Sequence, residues 1–244
     1  MPRRLLTALV DLLFPPLCCS CKEFIHDGRP LLICDDCLAG VVPLAGPLCP
    51  RCGRTYPDGA GGDHVCGPCL TGPPPFAAAR GAVVFDGTVR ELIHRFKYHG
   101  QVTLRRPLAR LAIDQLAGFV AHHRPEVIVP VPLHTKRLRH RGFNQAVLLG
   151  EALAKEWRLP LQRHNLRRSR WTEPQVNLAA AEREANVKGA FVLAEPALVA
   201  GKRVLLVDDV YTTGSTVREC ARVLKKGGAA EVVVVTVARA LEQG

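Results

Sequence analysis

The sequence has few aromatic residues and no long apolar run. Phenylalanine, tryptophan and tyrosine make up 5% of its 244 residues, so rings on which single-stranded nucleic acid can stack are scarce. No segment approaches the ~20 consecutive apolar residues of a membrane-spanning helix, and we therefore expect no membrane span. The Gly-Lys-Ser/Thr ending of a P-loop is also absent, which excludes a P-loop nucleotide site.

The first residues lack the features of an export signal. Two arginines precede an apolar stretch, but Asp11 interrupts this stretch and two prolines end it without a small-residue cleavage site. We expect residues 1–16 to form a short amphipathic helix that packs on the protein, and we expect the chain to be cytoplasmic. Contact of this helix with a membrane surface through Arg3 and Arg4 is the alternative.

Cysteine is abundant only in the N-terminal part of the chain. Nine of the ten cysteines precede residue 70, and eight of these form four Cys-x2-Cys pairs. The paired residues are Cys18 and Cys21, Cys34 and Cys37, Cys49 and Cys52, and Cys66 and Cys69. The spacers of 12 and 13 residues within each half of this pattern approach the spacing of zinc ribbons. We predict two structural zinc sites, each with four cysteine ligands, and Cys19 leaves open whether Cys18 or Cys19 is the first ligand.

Disulfide bonds are the competing interpretation of these cysteines. Cys-x2-Cys pairs in a chain that stays among reduced thiols favour metal binding over disulfides. The segment is also polar and rich in glycine, so it has little apolar surface to bury in a core of its own. Zinc binding, on the order of 10–16 kcal/mol per structural site, would supply the missing folding free energy.

Charge and proline divide the chain into two domains. Residues 1–75 carry 6 Lys and Arg against 7 Asp and Glu, so the formal net charge of +11 belongs to the remainder. Three consecutive prolines at 73–75 mark a linker. We predict a double zinc ribbon at 17–71, a linker at 72–78, and an α/β domain at 79–244 in which helices flank a parallel sheet.

The most informative segment is VLLVDDVYTTGST, residues 204–216. An apolar run typical of a buried strand leads into two aspartates and then into a loop of hydroxyl residues and glycine. Apolar residues at 217, 220, 221 and 224 predict an amphipathic helix after the loop, and residues 232–237 predict a second buried strand. Backbone N–H groups at a helix start bind phosphate, and neighbouring carboxylates suit sugar hydroxyls. The pattern indicates a sugar-phosphate site at the carboxyl end of the strand.

This segment resembles the 5-phosphoribosyl 1-pyrophosphate (PRPP) motif of type I phosphoribosyltransferases. The resemblance implies that Asp208 and Asp209 hold the ribose hydroxyls and form the catalytic pair. It also implies that the 5-phosphate is bound by the loop residues Thr212, Thr213, Gly214, Ser215 and Thr216. Purine-salvage members carry an acid at the position of Thr212. Because a hydroxyl group cannot accept a proton near pH 7, we do not expect purine salvage.

Positive charge is densest in residues 134–170, where ten basic residues stand against two glutamates. Such a density predicts an anionic partner. We expect residues 134–141 to form a basic loop after a buried strand. Guanidinium groups bind pyrophosphate in a bidentate manner, so Arg137, Arg139 and Arg141 are candidates to hold the pyrophosphate of PRPP beside Mg²⁺.

Four motifs, taken together with the cysteine pattern, resemble the ComF family. They are HRFKYHG at 94–100, RGFNQ at 141–145, TEPQVNL at 172–178 and VDDVYTTGST at 207–216. The likeness runs from about Leu17 to the C-terminus. Members of this family are phosphoribosyltransferase-like proteins associated with natural competence, in which DNA enters the bacterial cytoplasm as a single strand.

The resemblance implies a protein that binds PRPP and Mg²⁺ and acts in DNA uptake. One hypothesis is a phosphoribosyltransferase that transfers phosphoribose to an acceptor that the motifs do not identify. The other is a non-catalytic module that retains the PRPP pocket and binds single-stranded DNA, or docks on a competence or helicase protein. Phe143 and Trp171 are the aromatic residues in or beside the basic segment that could stack on bases.

Overall fold

The structure is a computed structural model that describes residues 15–25, 32–56, 61–172 and 180–241. The helix expected at residues 1–16 therefore lies almost entirely outside the described residues. The same is true of the TEPQVNL motif, of which only Thr172 is described.

The N-terminal part consists of two similar cysteine modules with little regular secondary structure. Each module contains a short helix that begins directly after a cysteine: α1 is Asp35–Ala39 and α2 is Gly67–Thr71. Isolated bridges join Leu17 with Phe24 in the first module and Leu48 with Thr55 in the second. This duplicated arrangement agrees with the four Cys-x2-Cys pairs.

Four parallel strands form the central sheet, in the order β1, β6, β5, β2. The strands are β1 (Ala78–Val84), β2 (Val127–Pro130), β5 (Arg203–Tyr211) and β6 (Glu231–Arg239). The apolar runs predicted as strands in β5 and β6 are buried almost throughout, as expected for central parallel strands covered on both faces. β1 begins at Ala78, the last residue of the predicted linker.

Helices cover both faces of this sheet. One face carries α3 (Gly87–Tyr98), α4 (Arg105–His123) and α6 (Gln145–Trp157), and the other carries α8 (Ser215–Lys226). The four apolar positions predicted for α8 are all buried. The predicted class, a parallel sheet flanked by helices and preceded by a double cysteine module, is confirmed. No described helix has the length and apolarity needed to cross a membrane.

The segment expected to be a basic loop is helical. Helix α5 spans Thr135–Arg141, and the Nδ1 atom of His134 accepts a hydrogen bond from Lys136 N–H at 3.2 Å. Gly142 ends the helix with a φ of 83°. The last turn holds three basic side chains, a position where the helix dipole stabilises positive charge. This is a physical reason for the basic run to be helical.

A second, two-stranded sheet lies outside the parallel one. β3 (Leu166–Arg168) and β4 (Phe191–Leu193) pair in antiparallel orientation, and α7 (Ala180–Val187) precedes β4 in the chain. Leu161 forms a single parallel bridge with Ile128 of β2. The sequence does not predict β3, because three residues are too few to display an alternation of apolar and polar side chains.

Candidate functional site

Each cysteine module brings four thiols together. Within each group the Sγ atoms all lie within 4.8 Å of one another. The first group is Cys18, Cys21, Cys34 and Cys37, and the second is Cys49, Cys52, Cys66 and Cys69. Sγ–Sγ distances of 3.5 Å in the first group and 3.6 Å in the second are close to the sulfur–sulfur edge of a tetrahedral zinc–thiolate site, ~3.8 Å. Both groups fit a structural zinc ion.

The geometry selects Cys18 rather than Cys19 as the first zinc ligand. The Sγ of Cys18 accepts a hydrogen bond from Cys34 N–H at 3.3 Å, and the Sγ of Cys49 accepts one from Cys66 N–H at 3.4 Å. Burial raises the pKa of Cys18 and Cys49, but backbone N–H donors outweigh it and lower both values to about 6. Burial raises the pKa of Cys19 to about 11. Cys18 lies in the group of four thiols and Cys19 does not, which makes Cys18 the first ligand.

The two aspartates lie inside β5 rather than at its end. β5 continues to Tyr211, whereas β2 stops at Pro130, opposite Val207. Asp208 and Asp209 therefore follow the last residue that β2 pairs with. Because consecutive side chains of a strand point to opposite faces, the two carboxylates lie on different sides of the sheet. This differs from the adjacent pair of acceptors that the sequence indicates.

A lysine that the sequence did not assign to the site faces one of these carboxylates. Lys97 Nζ lies 2.7 Å from Asp209 Oδ1, and the two side chains are 22% and 10% exposed. Asp209 N–H donates a hydrogen bond to Asp208 Oδ1 at 2.9 Å. Burial, followed by the negative charge of Asp209, raises the pKa of Asp208 to about 7, against the lowering effect of Lys97. One carboxylate is thus ion-paired, while the other exchanges its proton near neutral pH.

The hydroxyl-rich loop begins a helix, as predicted. Gly214 precedes α8 with a φ of 78°, and a side chain at this position would overlap the hydroxyl group of Tyr211. Thr213 Oγ1 and Ser215 Oγ lie 2.9 Å apart, Ser215 is buried and Thr212 is exposed. Glycine is required here for two reasons. The backbone is in the left-handed region, and the ring of Tyr211 leaves no room for a side chain.

Helix α5 does not present its three arginines together. Arg137 lies 5.4 Å from the ring centre of Trp171, and Arg141 Nη1 donates a hydrogen bond to Gln145 Oε1 at 2.7 Å. Arg139 is exposed. Positions two apart on a helix point in different directions, so Arg139 does not lie beside the other two.

A buried arginine lies near Asp208. Arg168 on β3 is 8% exposed, donates a hydrogen bond to Thr172 Oγ1 and faces the ring of Phe191 at 5.3 Å. Its Nε atom has no hydrogen-bond partner within the part of the chain that is described. Burial, and then the charge of Arg137, lowers its pKa to about 10. The negative charge of Asp208 acts on the same guanidinium group.

Comparisons with known proteins agree with both halves of this architecture. Residues 9–70 match the double zinc ribbon domain, and residues 144–244 match the phosphoribosyl transferase domain. Competence protein F of Haemophilus influenzae is 35% identical over 227 residues, which cover 91% of this chain and 96% of that protein. The chain belongs to the ComF family.

Further ComF relatives span nearly the same length. DNA utilization protein YhgH of Salmonella typhimurium is 35% identical over 233 residues, covering 93% of this chain and 98% of that protein. Competence protein ComFC of Bacillus subtilis is 28% identical over 215 residues, covering 85% of this chain and 84% of that protein.

The sequence reasoning missed three residues that lie close to the aspartates or the loop: Lys97, Arg168 and Tyr211. Lys97 lies in the HRFKYHG motif, Arg168 in the basic segment and Tyr211 next to the loop, so a signal was present for each of them. Their contacts depend on strand order and register, which local spacing does not encode.

Proposed function

We propose that this ComF-family protein binds PRPP together with Mg²⁺ and acts in the handling of incoming DNA. One observation carries the PRPP part: β5 brings two carboxylates to a helix start whose backbone is held in the left-handed region at Gly214. The names of the relatives, competence protein F and DNA utilization protein YhgH, support the DNA part.

The 5-phosphate is proposed to lie at the first turn of α8. Backbone N–H groups and the positive end of the helix dipole favour an anion there. Hydroxyl groups of Thr212, Thr213, Ser215 and Thr216 add donors. Each hydrogen bond to a charged phosphate contributes about 1.5–3 kcal/mol, so several of them together would make a substantial contribution to binding.

The ribose and its Mg²⁺ are proposed to lie beside Asp208 and Asp209. Carboxylate oxygens are preferred ligands of Mg²⁺ and accept hydrogen bonds from sugar hydroxyls. Burial and the charge of Asp209 raise the pKa of Asp208 to about 7. A cation bound beside these oxygens would favour the charged carboxylate, and oxygen donors of this kind fit Mg²⁺.

The pyrophosphate is proposed to contact Arg137 and Arg141. Arg137 acts electrostatically on Arg168, and Arg168 in turn interacts with Asp208, so positive charge extends from the aspartates towards α5. The reaction proposed is transfer of phosphoribose. The bond from C1 of ribose to pyrophosphate breaks, a bond from C1 to the acceptor nucleophile forms, and the site stabilises the charge that develops between them. Arg139 is exposed and lies apart from the other two arginines, so it is proposed to contact a ligand only outside the pyrophosphate position.

Calorimetric titration with PRPP and Mg²⁺ tests the binding proposal. We expect the wild-type protein to bind and the Asp208→Asn/Asp209→Asn variant to lose at least about tenfold in affinity. Asp114→Asn is the control, because Asp114 is exposed and pairs with Arg110 on α4, away from β5. Equal affinity in the double variant would reject the proposed ribose site. Release of pyrophosphate on adding nucleobases, ammonia or ribosyl acceptors would establish the transferase.

Binding of single-stranded DNA is the second candidate function, and Trp171 favours it. Its side chain is 37% exposed, and the cations of Lys136 and Arg137 lie 5.5 and 5.4 Å from its ring centre. An exposed ring beside two cations can stack on a base while the cations bind phosphates. Phe143 does not offer this, because it is half-buried and packs 5.6 Å from the ring of Phe96.

A salt titration of oligonucleotide binding tests this candidate. The slope of log affinity against log salt is about −0.7 per phosphate contacted in single strands. We expect Arg139→Ala to reduce the slope by about that amount, and Trp171→Ala to weaken binding at every salt concentration with the slope unchanged. Phe143→Leu serves as the control. If Trp171→Ala binds like the wild type, α5 and Trp171 are not the DNA platform.

A further inference from the structure

One buried arginine joins the second cysteine group to the phosphate loop. Arg239, at the end of β6, is 3% exposed, and its Nη1 donates a hydrogen bond to the carbonyl oxygen of Cys52 at 2.7 Å. The guanidinium carbon lies 4.2 Å from the ring centre of Tyr211. The hydroxyl end of this ring occupies the space that a side chain at Gly214 would need. Contacts therefore run without interruption from a zinc-ligand residue to the glycine of the loop.

The zinc group offers Arg239 a source of negative charge. A buried guanidinium needs charge compensation, and none of the carboxylates in the described ranges forms an ion pair with Arg239. Four thiolates around one Zn²⁺ carry a net charge of about −2. The backbone carbonyl of Cys52 and the face of Tyr211 complete the surroundings of the guanidinium. When zinc is bound, the negative charge of the zinc–thiolate group thus compensates the positive charge of Arg239.

The sheet register places the tyrosine against this arginine. Tyr211 and Arg239 are direct partners on the neighbouring strands β5 and β6, so their side chains lie on the same face. Gly81 on the next strand leaves room, because a side chain there would lie 2.9 Å from the Cβ of Arg239. A shift of Arg239 would therefore be passed to the ring and to the backbone that rests on it.

We propose that Arg239 is a positioning residue through which the second zinc ribbon holds the phosphate loop in its binding conformation. The proposal deepens the proposed function and rests on the loop being the phosphate site. The first ribbon makes a different contact with the domain, in which Arg95 Nη1 on α3 donates to the carbonyl of Ser20 at 3.3 Å. The contacts that lead to Gly214 come from the second ribbon, through Cys52.

Arg80 provides a matched control for Arg239. Its Nη1 donates to the carbonyl oxygens of Cys49 and Pro50, at 3.3 and 3.2 Å, so it docks on the same ribbon. The ring that it faces, however, is Phe119, at 5.3 Å. Arg80→Met thus removes ribbon contacts and a half-buried charge but leaves the tyrosine in place, whereas Arg239→Met removes the contact with the ring.

The two variants are compared as full-length, zinc-loaded proteins. We expect Arg239→Met to weaken binding of ribose 5-phosphate by about tenfold, within the usual range of coupling between sites, while Arg80→Met stays close to the wild type. In ligand-free protein, amide hydrogen exchange of residues 211–216 should be faster in Arg239→Met alone. Metal analysis should find two zinc ions in both variants. The changes in affinity and in hydrogen exchange would then come from the loop and not from loss of zinc.

Equal exchange of residues 211–216 in both variants and the wild type would overturn the proposal. If Arg239→Met does not fold, Tyr211→Leu removes the ring while leaving Arg239 and Cys52 joined. This variant should show the same faster exchange, and wild-type exchange there would again overturn the proposal. Should the wild type not bind ribose 5-phosphate, the proposed function fails, whereas the exchange data still decide on the coupling.

Discussion

Lys97 and Asp209 form a largely buried ion pair, with 2.7 Å between Nζ and Oδ1, at the edge of the proposed ribose site. The lysine comes from α3, the helix that also contacts the first cysteine module through Arg95. A sugar hydroxyl that binds Asp209 must share this carboxylate with the lysine. The ion pair therefore gives α3 a direct role in setting the charge of the site.

We predict that Lys97→Met raises the pKa of Asp208 further above about 7. The substitution removes a positive charge that lowers this pKa, and loss of a nearby opposite charge has an effect on the order of one pH unit. Carboxyl ¹³C titration by NMR measures the midpoint directly. Lys97→Arg keeps the charge and should titrate like the wild type. An unchanged midpoint in Lys97→Met would mean that solvent screens the two groups from each other.

Asp208→Asn should change the pH dependence of stability. The folded-state pKa of Asp208 is about 7 and its ordinary value is 3.8. Between these values the folded state binds more protons than the unfolded state, so wild-type stability falls as pH rises. Asparagine does not ionise, so the stability of the variant lacks this decrease with rising pH. Its unfolding midpoint, relative to the wild type, should rise by a few degrees from about pH 5 to about pH 8.

Calorimetric scans of ligand-free protein provide this measurement. Asp114→Asn is the control, because Asp114 is exposed on α4 and its loss should leave the pH dependence of the wild type in place. If the unfolding temperatures of Asp208→Asn and the wild type changed with pH in the same way, Asp208 would have the same pKa in the folded and unfolded states.

Gly214→Ala should be more damaging than Gly142→Ala. Both glycines have a left-handed backbone, with φ of 78° and 83°, and alanine in that region costs about 1–2 kcal/mol. A side chain at 142 meets no atom within 4 Å, whereas one at 214 overlaps Tyr211. We expect urea denaturation to show at least about 1 kcal/mol more loss for Gly214→Ala. Affinity for ribose 5-phosphate should fall only in that variant. Equal losses of stability would mean that the tyrosine moves aside freely.

Metal analysis should distinguish Cys18 from Cys19. Cys18 belongs to the first group of four thiols and Cys19 does not, so Cys19→Ser should retain two zinc ions per chain. Cys18→Ser should lose the first ion and melt at a lower temperature, because zinc binding supplies folding free energy. Loss of zinc in Cys19→Ser would show that the two neighbours exchange roles.

The unit β5–α8–β6 could be predicted because its signals are local. A continuous apolar run and an i, i+3, i+4, i+7 spacing each favour one structure. Helix α5 could not be predicted in this way. Its seven residues include a single apolar one, Leu138, so it has no apolar stripe, and its N-terminal cap comes from the side chain of His134.

By itself the sequence determined the four Cys-x2-Cys pairs, the parallel α/β sheet and the loop that begins α8, because each depends on spacing between near neighbours along the chain. The tertiary structure decided which charges meet. Lys97 contacts Asp209, and Arg239 contacts Cys52 and Tyr211, only because strand order and register bring distant segments of the chain together. The physical reason is that a buried charge must be compensated, and the compensating group comes from whichever element the fold packs against it.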